Sequence, residues 1–142
     1  MNGFNHNNSI LRICVDRIAD RTLSGCVLSR RLTQPLPFNG LTELALQMEA
    51  VFEQQNFPQA SQRIRTFLRS ESFENFAAPS PAHGMGEEMV MEGRGEIATF
   101  DVTVISRRNS TWQGVVNWLD GSELREFTSY LDLMRLINEK QF

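Results

Sequence analysis

Lysine is nearly missing from this chain. Lys140 is the only one, so thirteen of the fourteen basic residues are arginines. The cations are therefore planar forks suited to carboxylate or phosphate, and their location matters more than their number. Histidine is as scarce, with His6 in a polar stretch and His83 in a Pro/Gly-rich one. No set of His, Cys, Asp and Glu has metal-ligand spacing, so no metal and no other cofactor is expected. Cys14 and Cys26 are the only cysteines, too few for a disulfide scaffold in 142 residues. Both sit in apolar strand-like runs and read as buried reduced thiols. Neighbouring strands would let them pair, but no C-x-x-C spacing suggests redox chemistry.

Long apolar runs are missing too. None approaches the roughly 18 residues of a membrane-spanning helix. The start "MNGFNHNNSI" has no basic segment followed by an apolar one, so no signal peptide is expected. A cytoplasmic protein that does not engage a membrane is the expectation. The net charge of −3 argues against a protein that coats nucleic acid. No nucleophile-elbow, Walker, Rossmann or zincin pattern is present. No acid sits in a setting that would tune it for proton transfer. No catalytic residue is therefore assigned, and a non-enzymatic binding or interaction module is expected.

What the chain does have is an echo of itself. A shift of 89 positions lays Val15 on Val104, Thr22 on Thr111, Gly25 on Gly114 and Val27 on Val116. The same shift lays Phe38 on Phe127 and Leu44 on Leu133. No gap is needed from residue 11 to 49, and such a register predicts two tandem units.

Each unit reads as strand, strand, strand, helix. In the second, "ATFDVTVIS" alternates apolar and polar residues as a half-buried strand does. "WQGVVNWL" is the next strand, Asp120-Gly121 signals a hairpin, and "ELREF" returns. A helix follows with Tyr130, Leu133, Met134 and Ile137 on one stripe, and Ser129 and Asp132 as a capping box. In the first unit "ILRICVD" and "SGCVLSRRL" are strands. Pro35 and Pro37 confine the third piece to a sheet edge or an extended arm. A helix is expected from about Leu41 to Phe52, capped by Asn39, with Leu41, Leu44, Met48 and Phe52 buried.

Neither unit of about 45 residues would fold securely alone. The expected fold is α+β: one domain with antiparallel sheet and the helices packed on one face. Its parts are a disordered polar tail over residues 1–9, the first unit with an extension over 10–76, a Pro/Gly-rich linker over 77–95, and the second unit over 96–142. An exposed strand edge offers a route to a homodimer.

Arginine and tryptophan supply the candidate binding residues. Arg17 and Arg21 occupy the first strand connection and Arg107 and Arg108 the second; together they would suit an anionic small molecule or an acidic protein partner. Solvated turns paired with nearby acids are the plainer alternative. Trp112 and Trp118 share a strand face. They read as core filling, with an exposed aromatic platform for a base or peptide as the alternative.

The turns Asp20-x-Thr22-x-x-Gly25 and Asn109-x-Thr111-x-x-Gly114 resemble the D/N-x-S/T-x-x-G pattern of PilZ domains. Those domains bind cyclic di-GMP with this turn and an upstream Arg-x-x-x-Arg. Here Arg17-x-x-x-Arg21 overlaps the first turn instead of preceding it, and Arg107 and Arg108 lack the spacing. That resemblance implies a sensor for a cyclic dinucleotide or another phosphate-bearing ligand. RNA or single-strand binding through Trp and Arg is a further alternative. "TWQGVVNWLDG", followed by "EF" and "YLDLMRLIN", is similar to a block in a family of small Firmicutes proteins of unknown function. "SRRLTQPLPFNGLTELALQMEAVFEQQNFPQASQRIRTF" is similar to its other half. This resemblance implies no activity and brings no site residues.

Overall fold

Alternation decides which side of each strand meets water, and it builds the sheet here. The structure is a computed structural model, and it describes residues 4–59, 76–107, 111–140 and 142. Six strands form one antiparallel sheet: β1 (Leu11–Ala19), β2 (Thr22–Leu28), β3 (Leu36–Asn39), β4 (Ala98–Ser106), β5 (Gln113–Asn117) and β6 (Arg125–Phe127). Their order across the sheet is β3-β2-β1-β4-β5-β6. Among the described residues three α-helices accompany them: α1 (Leu41–Gln55), α2 (Glu87–Glu92) and α3 (Tyr130–Glu139). The fold is α+β.

Leu11, Ile13 and Val15 of β1 and Phe100, Val102 and Val104 of β4 are all buried. They share a face with Val27, Val116 and Phe127, the face on which α1 lays Leu44, Met48 and Phe52 and α3 lays Leu133, Leu136 and Ile137. Burying such side chains contributes roughly 1.5–3 kcal/mol each. Not every residue of the expected stripes is buried. Tyr130 is 43% exposed and Leu41 and Met134 are half-buried.

The central strands are joined by an ion pair. Arg12 and Asp101 lie opposite each other in the β1–β4 register. Arg12 Nε donates to Asp101 Oδ1 at 2.8 Å and Nη2 donates to Oδ2 at 3.0 Å. Arg12 Nη1 donates to the carbonyls of Met91 (2.5 Å) and Val90 (3.3 Å). The hydrogen bond to Asp101 raises the Arg12 pKa against the opposing effect of burial.

Those carbonyls place α2 on the face opposite α1 and α3, so the expectation of helices on one face alone is corrected. Residues 77–95, expected as a linker, are a packed strap. Thr33 N donates to Phe76 O at 2.7 Å, Ala78 N to Arg31 O at 2.8 Å and Met85 N to Leu32 O at 2.8 Å. Met85 and Val90 are buried, and residue 93 sits directly against Leu28. Composition hid this because four buried apolar residues, Ala77, Ala78, Met85 and Val90, suffice to seat the strap. The tail is likewise laid down: residue 4 places its ring 5.6 Å from the Arg31 guanidinium, His6 lies 5.4 Å from Phe57, and Ser9 is buried. The extension at 60–75 lies outside the described residues.

The two sides of the β1–β4 seam use the same registers at an offset of 89. β1 shifts register against β2 between Val15 and Arg17, and β4 shifts against β5 between Val104 and Ser106. Gly25 lies opposite Val15 and Phe38, and Gly114 opposite Val104 and Phe127. α1 and α3 begin at Leu41 and Tyr130. The local devices differ. Gly40, at φ 93°, precedes α1, while Asn39 N donates to Glu43 Oε1 and supplies no cap. Ser129 Oγ accepts from Asp132 N at 3.0 Å, the expected cap, while Asp132 Oδ2 accepts from Thr128 N, one residue before the N-cap position of a capping box. β3 is an edge strand, as its prolines require. Asp120-Gly121 falls within a longer connection, residues 118–124, not a two-residue hairpin.

Each of the two glycines is forced by a close backbone. A Cβ at Gly25 would lie 1.8 Å from the Cys14 carbonyl oxygen, and one at Gly114 2.0 Å from that of Thr103. Gly25→Ala and Gly114→Ala are each expected to lower stability by about 1–3 kcal/mol, the usual cost of overpacking. Urea unfolding checks this; a loss at one position and none at the other contradicts the matched geometry.

Candidate functional site

Two apolar residues fall out of phase with the helical stripes. Leu46 of α1 is 52% exposed and Leu131 of α3 is 66% exposed. With Leu41, Ala45, Tyr130 and Met134 they line a groove of about 600 Å³ between the two helices. That volume lies in the range of small-molecule sites. The remaining lining residues are Thr42, Glu49 and Trp112.

Trp112 sits just before β5, on the face that carries Gly114 and Val116, so its ring projects toward the helices. It is buried. Its ring meets Phe52 edge-on at 5.2 Å and lies 5.8 Å from Tyr130. Tyr130 opens α3 and Phe52 lies late in α1, so the start of α3 stands beside the later turns of α1. The Trp112 indole N–H donates to Glu49 Oε2 at 2.9 Å. Buried indoles need such a partner, and here it fixes the carboxylate at the groove. Trp112 thus fills the core and also lines the groove. Trp118 is buried against Phe100 at 5.1 Å and takes no part in the groove.

The arginines expected to act together do not meet. Arg17 and Arg21 are exposed at the β1–β2 connection. β1 and β4 run antiparallel, so the connection after β1 and the one after β4 lie at opposite ends of the sheet. The register separates the levels of Arg17 and Arg107 by about eleven residues, roughly 35 Å at the rise of an extended strand. Arg107 is buried and committed: Nη1 donates to Glu53 Oε1 at 2.9 Å, Nε to Pro58 O at 2.5 Å and Nη2 to Phe52 O at 3.3 Å. Arg108 lies outside the described residues.

Beside it, Arg31 is fully buried with its guanidinium 4.9 Å from the Phe52 ring. Nε donates to Gln55 Oε1 at 2.6 Å and Nη2 to Phe57 O. Burial and then the Arg107 charge push its pKa down to about 9, so it stays cationic at neutral pH. These two arginines brace the end of α1.

Cys14 and Cys26 are opposite one another across β1 and β2, and both are free thiols. The hydrogen bond with Cys26, together with burial, raises the Cys14 pKa. Among the described residues no group of three His, Cys, Asp or Glu is arranged to hold a metal ion. No described helix is long and apolar enough to cross a membrane.

Charge and buried stripes alone do not reveal the groove in the sequence. Its signal was there: Leu46 and Leu131 are large apolar residues off the buried stripe of their helices. No protein-family model, curated protein or solved structure matches the chain.

Asp20 and Arg21 form the β1–β2 turn with φ of 52° and 63°. A left-handed conformation costs a non-glycine residue roughly 1–2 kcal/mol. Arg21→Gly is therefore expected to raise stability by about 1 kcal/mol. Arg107→Ala should lower it by about 3–5 kcal/mol, because the buried Glu53 Oε1 and the Phe52 and Pro58 carbonyls would lose the guanidinium that donates to them. Denaturant unfolding separates the two; a loss from Arg21→Gly, or no loss from Arg107→Ala, contradicts these assignments.

Proposed function

We propose that this chain is a non-enzymatic binding module whose ligand seat is the groove between α1 and α3. The observation that carries the reading is the exposure of Leu46, Tyr130 and Leu131 around one half-buried carboxylate, Glu49. Large apolar side chains held open to water at a concave surface favour an occupant that removes them from it. The walls stand on rigid elements, since both helices are pinned to the sheet by their buried stripes. Specificity is expected from the few polar groups among apolar ones, namely Thr42, Glu49 and Tyr130.

The scaffold is read as a duplicated β-β-β-α unit. Support comes from paired features at one constant offset: the bulges after Val15 and Val104, the glycines 25 and 114, and the helix starts at 41 and 130. Arg12 and Asp101 are related by that same offset and also face each other in the sheet. An approximate two-fold axis through this pair accounts for both relations. In this view the groove lies between equivalent walls, with Leu41 and Tyr130, and Ala45 and Met134, as counterparts related by the axis.

A fragment library followed by amide chemical shifts tests the site. Leu41, Ala45, Leu46 and Leu131 are expected to shift together, and Ala45→Trp, which fills the groove, should abolish those shifts. Scattered shifts, or shifts unaltered in Ala45→Trp, contradict the reading. So does turnover in a hydrolase and transferase screen that is lost on changing one polar residue.

A further inference from the structure

We propose that the occupant of the groove is an organic cation: an apolar body carrying one ammonium or amidinium-type group that pairs with Glu49. The inference rests on the groove being a ligand seat and adds the chemical class of the ligand.

The charge pattern of the lining carries it. Among the described residues that line the groove, Glu49 is the one acidic side chain, and none is an arginine or a lysine. Its Oε2 is held by the Trp112 indole N–H at 2.9 Å, a neutral donor that orients the carboxylate without cancelling its charge. The neighbouring acid one turn on, Glu53, already has its cation in Arg107 at 2.9 Å. Among the described residues Glu49 has no such cation. A neutral apolar ligand closing over it would strip water from an unpaired carboxylate, which is costly. An anion would add repulsion to that cost. A ligand bringing N–H donors and a positive charge replaces the lost water with a charge-assisted hydrogen bond.

The aromatic wall acts in the same direction. Trp112 and Tyr130 stand 5.8 Å apart, with their planes inclined at 57°. Electron-rich rings beside a carboxylate form a wall that attracts cations, and indole is the most effective of the aromatic side chains. The apolar body of the ligand then covers Leu46, Leu131 and Met134, which the charge alone would not need. The lining is thus divided: the charged head goes to Glu49 and the aromatic pair, the body to the aliphatic walls of both helices. A cavity of about 600 Å³ takes a molecule of drug-like size.

Calorimetry with three probes of one shape tests this: 4-phenylbutylamine, 4-phenylbutanol and 4-phenylbutyrate. The amine is expected to bind at least about tenfold more tightly than the alcohol, with the carboxylate weakest. Glu49→Gln retains an acceptor for the Trp112 indole, and thermal unfolding checks that it keeps its fold. In this variant the preference for the amine should vanish while the alcohol binds as before. Equal binding of all three overturns the cation assignment and leaves the groove as a ligand seat. Binding of none, as for a groove that takes only a macromolecular partner, overturns both. Preference for the carboxylate, or an amine preference that survives Glu49→Gln, overturns the role given to Glu49.

Discussion

The buried contact between Arg12 and Asp101 is the constraint on which the rest of the structure depends. Two charges taken out of water incur a large desolvation cost, which good geometry and complete hydrogen bonding can offset. Here the guanidinium grips the carboxylate with two parallel bonds, and its Nη1 donates to the Val90 and Met91 carbonyls. The pair therefore specifies more than one thing. It fixes the register of β1 against β4, and it ties the strap carrying α2 to the back of the sheet. A slip of one residue would turn Leu11, Ile13 and Val15 out of the core and leave both charges buried alone.

From that seam the groove follows by geometry. β2 and β3 extend the sheet on one side, β5 and β6 on the other, and each third strand leads directly into a helix. The helices return over the same face, since their apolar stripes can be covered only there. They meet the sheet at a spacing set by the strands beneath them and touch each other little, through an aromatic cluster of Phe52, Trp112 and Tyr130. The space left between them is the groove. Arg107 and Arg31 contribute from below, holding the end of α1 through Glu53 and Gln55.

Much of the architecture was legible in the sequence, and the reason is locality. The strands declared themselves by alternation, and α3 by its stripe and the Ser129–Asp132 cap. Pro35 and Pro37 correctly confined β3 to an edge. The failures concern residues whose partners are distant in the chain. Arg107 looked like a turn residue because Glu53 and Pro58, which bury it, come from the far end of α1. Arg12 carries no local signal because its carboxylate lies 89 positions away. The strap reads as linker because Pro and Gly outnumber the few apolar residues, Ala77, Ala78, Met85 and Val90, that seat it. Glu49 was one acid among 17; only its contact with Trp112 distinguishes it. Site residues of this kind are set apart by what the fold brings to them, which periodicity does not encode.

The seam predicts one cooperative unit, in which neither side is stable without the other and the groove exists only when both are folded. Native-state hydrogen exchange measures this directly. The amides of residues 11–15 and 98–102 are expected to exchange slowest on both strands, at a single free energy equal to that of global unfolding. Exchange of residues 11–39 at a free energy well separated from that of residues 98–139 would mean that the two sides open independently, and would contradict a seam that holds them together.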